Sequence, residues 1–137
     1  MDEVVITIEA GYRRVLTILE KQGYRVRAVF PINFSRYIIV QGKPENILIT
    51  FKTDVFRSFG VMFKHFRSHC VGDSINCEDL KKSIQFNVTK IYTIFSNGCV
   101  YSIPINKFLI YSEKWVNNEG KEVRSIPIRL YKKEFQL

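Results

Sequence analysis

Hydrophobic residues recur along the first part of the chain with the period of a helix. The apolar positions are Ile8, Tyr12, Val15, Leu16 and Leu19. They form one stripe of a repeat of about 3.6 residues. Thr7 stands where a hydroxyl caps a first turn, and Gly23 stands where a left-handed residue ends a helix. The pattern predicts a helix over residues 8–21.

Shorter runs with a period of two follow and predict three strands. Apolar and polar residues alternate over residues 24–30, and β-branched residues dominate residues 37–40 and 47–52. A polar turn containing Gly42 separates the last two runs, so we expect them to pair as an antiparallel hairpin.

The second half predicts a helix and another hairpin. Asn76 is a candidate cap for a short helix whose inner face includes Leu80 and Ile84. Residues 88–95 and 99–103 are strand-like and flank a Ser-Asn-Gly turn, which is typical of a hairpin.

Four further segments carry weaker patterns. Residues 70–76 are predicted as a loop and residues 108–115 as a short helix. Residues 123–128 are predicted as an edge strand, because Pro127 cannot donate to a neighbouring strand. Residues 132–134 are predicted as a polar tail.

Residues 55–69 combine aromatic and basic side chains. Phenylalanines recur at spacings of three and four, which fits either a helix or an extended lid, and Gly60 disfavours the helix by about 1 kcal/mol relative to alanine. The aromatic residues suit either the core or a platform for stacked bases. The cations between them, Arg57, Lys64 and Arg67, are the strongest local indication of phosphate contact.

Composition indicates a folded protein with a polyanionic partner. The 137 residues are 46% hydrophobic, and 21 Lys and Arg outnumber 13 Asp and Glu, for a net charge of +8. We expect nucleic acid, with DNA favoured, to bind Arg25, Arg27 and Arg36 as well as the three cations of the middle segment. No apolar run is long enough to cross a membrane, so no membrane partner is expected.

Several other function classes lack their motifs. The chain has no nucleophile elbow and no glycine-rich phosphate loop, which argues against serine hydrolases and nucleotide hydrolases. Its three cysteines are not spaced as zinc ligands. The acidic residues Asp2 and Glu3 do not resemble the start of a signal peptide, so a cytoplasmic location is expected.

The order helix–strand–strand–strand–helix–strand, with Lys52 closing the third strand, resembles the PD-(D/E)xK nuclease superfamily. The size and the glutamate near the start of the first helix are most similar to archaeal Holliday junction resolvases and their viral or restriction-type relatives. The resemblance implies an α/β (α+β) fold: one nuclease-like domain over residues 1–137, with a central mixed sheet flanked by helices and an αβββαβ core. It also implies DNA as substrate, Mg²⁺ as cofactor if the protein is active, and a homodimer as an expected assembly.

The resemblance assigns two residues and leaves two positions of the motif without an acid. Glu9 matches the first-helix glutamate, although it could instead pair with Arg13 one turn along the helix. Lys52 matches the lysine that stabilises charge on the phosphate and on the attacking water. Thr50 stands where the motif has a metal-binding carboxylate, and no acid lies in residues 35–37, where the second-strand Asp is expected.

Three hypotheses follow from these observations. In the first, a degenerate nuclease-like scaffold binds the nucleic-acid backbone with little sequence readout. In the second, the protein is a Mg²⁺-dependent endonuclease whose catalytic residues are Lys52, Glu9 and Glu45, with Glu9, Glu45 and Asp54 as candidate metal ligands. In the third, the basic surface binds an acidic protein.

Overall fold

Eleven strands and three helices make up most of the chain that the structure, a computed structural model, describes. The described residues are 6–32, 35–43, 45–52, 61–63, 68–70 and 72–137. The elements, in chain order, are α1 (Ile8–Lys21), β1 (Arg25–Ile32), β2 (Ser35–Gln41), β3 (Asn46–Lys52), β4 (Val61–Phe63), β5 (Ser68–Cys70), β6 (Gly72–Asn76), α2 (Cys77–Gln85), β7 (Val88–Phe95), β8 (Cys99–Pro104), α3 (Ile105–Tyr111), β9 (Glu113–Val116), β10 (Glu122–Pro127), a 3₁₀ turn (Ile128–Leu130) and β11 (Lys132–Gln136).

Six strands form a mixed central sheet in the order β1-β2-β3-β7-β8-β11. The predicted pairing of the second and third strands is confirmed, with Ile38 opposite Ile49 and Val40 opposite Ile47. β3 and β7 are parallel, while the other neighbours in this sheet are antiparallel. The single-domain α+β class with a mixed sheet flanked by helices is as predicted.

The helices begin and end where local chemistry dictates. The Thr7 hydroxyl accepts a hydrogen bond from the Ala10 N–H at 3.1 Å, and Gly23 has the positive φ of +94° that disfavours other residues. Asn76 caps α2 by accepting from the Glu78 N–H at 2.8 Å. Among the described helices, none is long and apolar enough to cross a membrane.

The central sheet packs a different core on each face. In β3, Ile49 and Phe51 belong to the cluster that includes Val15 of α1, whereas Leu48 belongs to the cluster that includes Phe108 of α3. Because side chains alternate along a strand, Thr50 and Lys52 share the face of Leu48. The opposite face of the sheet carries α1.

A second sheet covers the face that bears Thr50. It has three strands in the order β6-β10-β9, and its residues Ile75 and Ile126 are fully buried in the same cluster as Leu48. Asp73 pairs with Ile126 in this sheet. The two sheets therefore enclose a layer of side chains, within which the polar residues of β3, β6 and β7 meet.

Three predictions for the weaker segments were wrong. The segment 70–76, predicted as a loop, contains β6, and the predicted edge strand is β10, which lies between β6 and β9. The predicted polar tail is part of β11, an edge strand paired with β8. The strand over residues 123–128 was predicted, and only its edge position was wrong. By contrast, β6 and β11 are stabilised by partners distant in the sequence, so local propensity did not indicate them.

Three more predictions needed correction. The helix predicted for residues 108–115 is α3, which ends at Tyr111 and gives way to β9. Ile84, predicted to face inward, is 47% exposed, and Ser83 takes the buried position instead. In the middle segment, β4 and β5 pair as antiparallel strands, so the helical alternative is wrong for these residues.

We expect the mutation Gly11→Ala to destabilise the protein even though alanine favours a helix. A Cβ at this position would lie 2.8 Å from Phe51 Cε2, and Phe51 is itself buried against Tyr12. Overpacking of a core costs about 1–3 kcal/mol, more than the gain of about 1 kcal/mol in helix propensity. Denaturant unfolding should show a net loss of stability. Arg14→Ala, on the exposed face of the same helix, should change it little.

Candidate functional site

Asp73 is a fully buried carboxyl group between the two sheets. Its side chain has 0% exposure, and its Oδ2 accepts hydrogen bonds from the Thr93 hydroxyl at 2.8 Å and the Tyr131 hydroxyl at 2.7 Å. Burying an ionised group without compensation costs several kcal/mol, so such donors are a structural requirement.

Lys52 supplies positive charge on the other side of this carboxyl group. Its Nζ lies 3.7 Å from Asp73 Oδ1 and donates to the Ser74 carbonyl oxygen at 2.5 Å. Among the described residues, Asp73 Oδ1 has no hydrogen-bond partner, so the Lys52 ammonium is its compensating charge. The Lys52 side chain keeps 21% of its surface exposed.

Thr50, which stands where the nuclease motif has a carboxylate, is connected to Asp73 by two hydrogen bonds through Thr93. The parallel register places Thr50 beside Thr93, and the Thr50 hydroxyl donates to Thr93 Oγ1 at 3.2 Å. Thr93 in turn donates to Asp73. The sequence pattern placed Asp73 in a loop over residues 70–76, whereas its actual position in β6 depends on pairing with β10.

The tyrosines around this cluster are held in their neutral form. The pKa of Tyr131 is raised well above its ordinary value. Burial is the largest cause, and the negative charge of Asp73 is the next largest. Burial likewise raises the pKa of Tyr37, with contributions from Asp79 and then Asp73. A neutral phenol is the form that can donate a hydrogen bond to a carboxylate.

A second line of hydrogen bonds runs from the cluster to the surface. The hydroxyl oxygens of Ser74 and Ser125 are 2.6 Å apart, and Trp115 Nε1 donates to Ser125 Oγ at 2.7 Å. Ser125 is 1% exposed, whereas the Trp115 side chain is 43% exposed. Trp115 is thus connected to Lys52 through Ser125 and Ser74.

The structure does not bring Glu9 into this cluster. Glu9 is exposed on α1, which packs on the opposite face of the sheet from Lys52. The N-terminal end of α1 does lie near the end of β3, because the Ile6 N–H donates to the Ser96 carbonyl and the Ser96 N–H donates to the Lys52 carbonyl.

Glu45 lies at the other end of β3 from Lys52. It forms an ion pair with Lys90 at 3.2 Å and accepts a hydrogen bond from Thr89 at 3.2 Å. A seven-residue strand separates the two ends, roughly 20 Å at about 3.3 Å per residue. Glu45 and Lys52 therefore cannot contact the same ligand atom, while Asp54 lies outside the described residues.

The described residues around Lys52 do not fit a Mg²⁺ ion. Mg²⁺ prefers about six oxygen ligands, but no group of three acids, histidines or cysteines comes together in the described part of the chain. Of the two Asp73 oxygens, one accepts two hydroxyl protons and the other faces an ammonium group. The Lys52 ammonium group therefore already neutralises the Asp73 carboxylate that a metal ion would need as a ligand.

Basic residues line an open groove at the start of β1. It has a volume of about 720 Å³. Its lining residues are Gln22, Gly23, Arg25, Val26, Arg27, Gln41, Gly42 and Lys43. None of these is acidic, and Arg25, Arg27 and Lys43 are exposed. The predicted phosphate-binding residues Arg25 and Arg27 therefore lie together.

The other predicted phosphate-binding residues are not seen in this groove. Arg36 belongs to β2, and its side chain lies outside the description. Arg57, Lys64 and Arg67 lie outside the described residues. Lys43, which sequence reasoning did not select, joins the groove because the β2–β3 turn brings it beside the start of β1.

We expect Lys52→Met to destabilise the protein by about 3–5 kcal/mol, because it leaves the Asp73 carboxylate buried without its cation. The double mutant Lys52→Met/Asp73→Asn should recover part of this loss, since it removes both charges. A double-mutant cycle of denaturant unfolding measures the coupling. Additive effects, or a wild-type melting temperature that Mg²⁺ raises and a chelator lowers, would contradict the assignment of Lys52 as the internal cation.

We expect stability to fall as the pH rises above about 10, where tyrosines of the unfolded chain ionise. The pKa of Tyr131 is raised in the folded state, so the folded protein retains a proton that the unfolded chain loses. Tyr37 and Tyr92, also with raised pKa values, act in the same direction. Denaturant midpoints measured from neutral to alkaline pH provide the test.

The mutation Tyr131→Phe removes the contribution of this one tyrosine to the pH dependence of stability. It should lower stability at neutral pH by about 1–3 kcal/mol, because Asp73 loses a donor, and should make the alkaline decline shallower. Tyr111→Phe, at an exposed position, is the matched control and should leave neutral stability unchanged. An unaltered alkaline decline in Tyr131→Phe would argue against the proposed role of this tyrosine.

No family model, curated protein or solved structure matches the chain. The nuclease resemblance requires residues 37–40 and 47–52 to be paired neighbours in one sheet, and they are. Membership of that superfamily stays a prediction.

Proposed function

We propose that this protein binds nucleic acid, with DNA as the favoured form, through the phosphate backbone and without cutting it. The observation that carries the proposal is the groove in which Arg25, Arg27 and Lys43 converge without an acidic neighbour in the lining. Such a groove concentrates positive potential, and the net charge of +8 reinforces it at longer range.

The local backbone supports a surface that binds a polyanion. β1 is an outer strand of the sheet, and its register with β2 shifts between Val26 and Ala28, which leaves Arg27 as the extra residue of a bulge. A bulge redirects its side chain, and charges on an edge strand resist pairing with another protein strand. The exposed edge of β1 therefore favours a charged ligand over a second copy of the chain.

The groove supports affinity with little sequence readout. Arginine and lysine bind phosphate oxygens, which are the same at every nucleotide, whereas sequence is read by contacts to base edges. The proposal that DNA is not cut rests on the groups around Asp73, because Lys52 already neutralises the carboxylate that the described residues place beside it. Of the three sequence hypotheses, backbone binding without hydrolysis has the most support.

We expect the triple mutant Arg25→Gln/Arg27→Gln/Lys43→Gln to bind DNA on the order of tenfold or more weakly than wild type. The plot of log affinity against log salt should become shallower by nearly 3, about 0.9 for each lost phosphate contact. Fluorescence anisotropy with a labelled duplex, a single strand and a four-way junction measures both quantities.

The matched control removes three charges from elsewhere on the surface. Lys81, Lys132 and Lys133 are exposed on α2 and on β11, which is the edge of the sheet opposite β1. Their replacement by glutamine should leave the salt slope nearly unchanged. Equal losses in both triple mutants would mean that net charge, and not the groove, governs binding.

The same DNA panel incubated with Mg²⁺, with Mn²⁺ and with chelator tests the second half of the proposal. Metal-dependent cutting by the wild-type protein would overturn binding without hydrolysis and would favour an active nuclease. Loss of that cutting in Lys52→Ala, in a sample that circular dichroism shows to be folded, would assign the activity to Lys52. No binding at about 50 mM salt would overturn the nucleic-acid proposal and leave an acidic protein as the partner.

A further inference from the structure

Tyr24 lies between two residues that line the basic groove. It follows Gly23 and precedes Arg25 in the sequence. Its backbone N–H donates to the Leu19 carbonyl oxygen at 3.0 Å, which ties it to the end of α1. Its side chain is partly buried and packs against the core cluster beneath α1. The aromatic ring is therefore held in place from the side of the helix.

The Tyr24 ring occupies the space in which a side chain at position 42 would lie. A Cβ added to Gly42 would overlap Cδ1 of this ring and would lie 2.5 Å from its Cε1. Gly42 is not needed here for a left-handed backbone, because the described glycines with a positive φ are Gly23, Gly98 and Gly120. The glycine is needed because the ring lies directly against its backbone.

The chain is anchored again two residues beyond Lys43. Glu45 forms an ion pair with Lys90 of β7 at 3.2 Å. Burial raises the pKa of Tyr24, and the negative charge of Glu45 raises it further, so this carboxylate also lies close to the tyrosine. Because Glu45 is engaged with β7, the acid that follows Lys43 most closely in the sequence already has a cation as its partner.

Anchoring of this turn matters for binding because Lys43 is one of the three cations of the groove. Arg25 and Arg27 belong to β1 and are held by its pairing with β2, whereas Lys43 follows the last residue of β2. Turn residues at a surface usually move more than strands do, and a ligand that immobilises them loses affinity to the entropic cost. A turn that is already fixed avoids much of this cost.

We propose that Tyr24 is a positioning residue of the basic groove: its ring, which lies against the Gly42 backbone, holds the β2–β3 turn so that Lys43 binds the same ligand as Arg25 and Arg27. The inference rests on the proposed nucleic-acid binding and names the contact that assembles the site. It assigns Tyr24 a role in binding although the tyrosine itself does not line the groove.

A double-mutant cycle between Tyr24 and Lys43 tests the proposal, with affinity for a labelled DNA duplex measured by anisotropy over a range of salt concentrations. Lys43→Gln should make the plot of log affinity against log salt shallower by about 0.9, the value of one phosphate contact. Tyr24→Ala should have the same effect, with a loss of affinity of roughly two- to fivefold. The double mutant Tyr24→Ala/Lys43→Gln should be no weaker than either single mutant.

Two further variants separate the ring from the rest of the tyrosine. Tyr24→Phe should retain wild-type affinity and salt slope, because it keeps the ring that contacts Gly42. Gly42→Ala should reproduce the loss seen in Tyr24→Ala, because the added methyl group displaces the ring or the turn. Tyr111→Ala, which truncates an exposed tyrosine on α3, is the matched control and should leave the salt slope unchanged.

The outcomes distinguish this inference from the proposed function. Additive effects of Tyr24→Ala and Lys43→Gln on the salt slope would mean that Tyr24 only stabilises the fold, and would leave the proposed function standing. A loss in Tyr24→Phe as large as that in Tyr24→Ala would also overturn the role of the ring. Absence of DNA binding by the wild-type protein would overturn the inference together with the proposed function.

Circular dichroism and denaturant unfolding show which variants are folded under the conditions of binding. If Tyr24→Ala does not fold, the cycle is completed with Gly42→Ala, which leaves the tyrosine in the chain. The double mutant Gly42→Ala/Lys43→Gln should then bind as Lys43→Gln does, and additive losses in this pair would overturn the proposal.

Discussion

A carboxyl group enclosed between two sheets sets the constraint on which the rest of this structure depends. Asp73 has no exposed surface, so the charge of its carboxylate must be compensated from within the protein. Lys52 from the end of β3, Thr93 from β7 and Tyr131 from the segment after the 3₁₀ turn all converge on it. These contacts join the second sheet to the central sheet by polar bonds within a largely apolar layer.

Because side chains alternate along β3, this strand contributes residues to both faces of the central sheet. Ile49 and Phe51 pack in the cluster under α1, whereas Thr50 and Lys52 point toward the second sheet and contribute to the polar cluster. A shift of one residue would place the polar side chains under α1 and the apolar ones beside Asp73. The pairing of β3 with both β2 and β7 holds this register in place.

The same cluster shapes the functional proposals. Lys52, the residue that the nuclease resemblance assigns to chemistry on phosphate, is engaged with Asp73 and with the Ser74 carbonyl oxygen. The proposed contacts with nucleic acid therefore involve another surface, the groove of Arg25, Arg27 and Lys43. On this proposal, surface cations bind the ligand, while the buried polar residues stabilise the fold.

Local chemistry in the sequence determined α1 with its caps, the β2–β3 hairpin and the β7–β8 hairpin, because periodicity and turn residues act within a few positions. It also placed Lys52 at the end of a strand and Arg25 and Arg27 near one another. Only the tertiary structure decided the places of β6, β10 and β11, and with them the contact between Asp73 and Lys52. In β6, Asp73 pairs with Ile126, and a strand rich in small and polar residues forms only when such a distant partner supplies its hydrogen bonds.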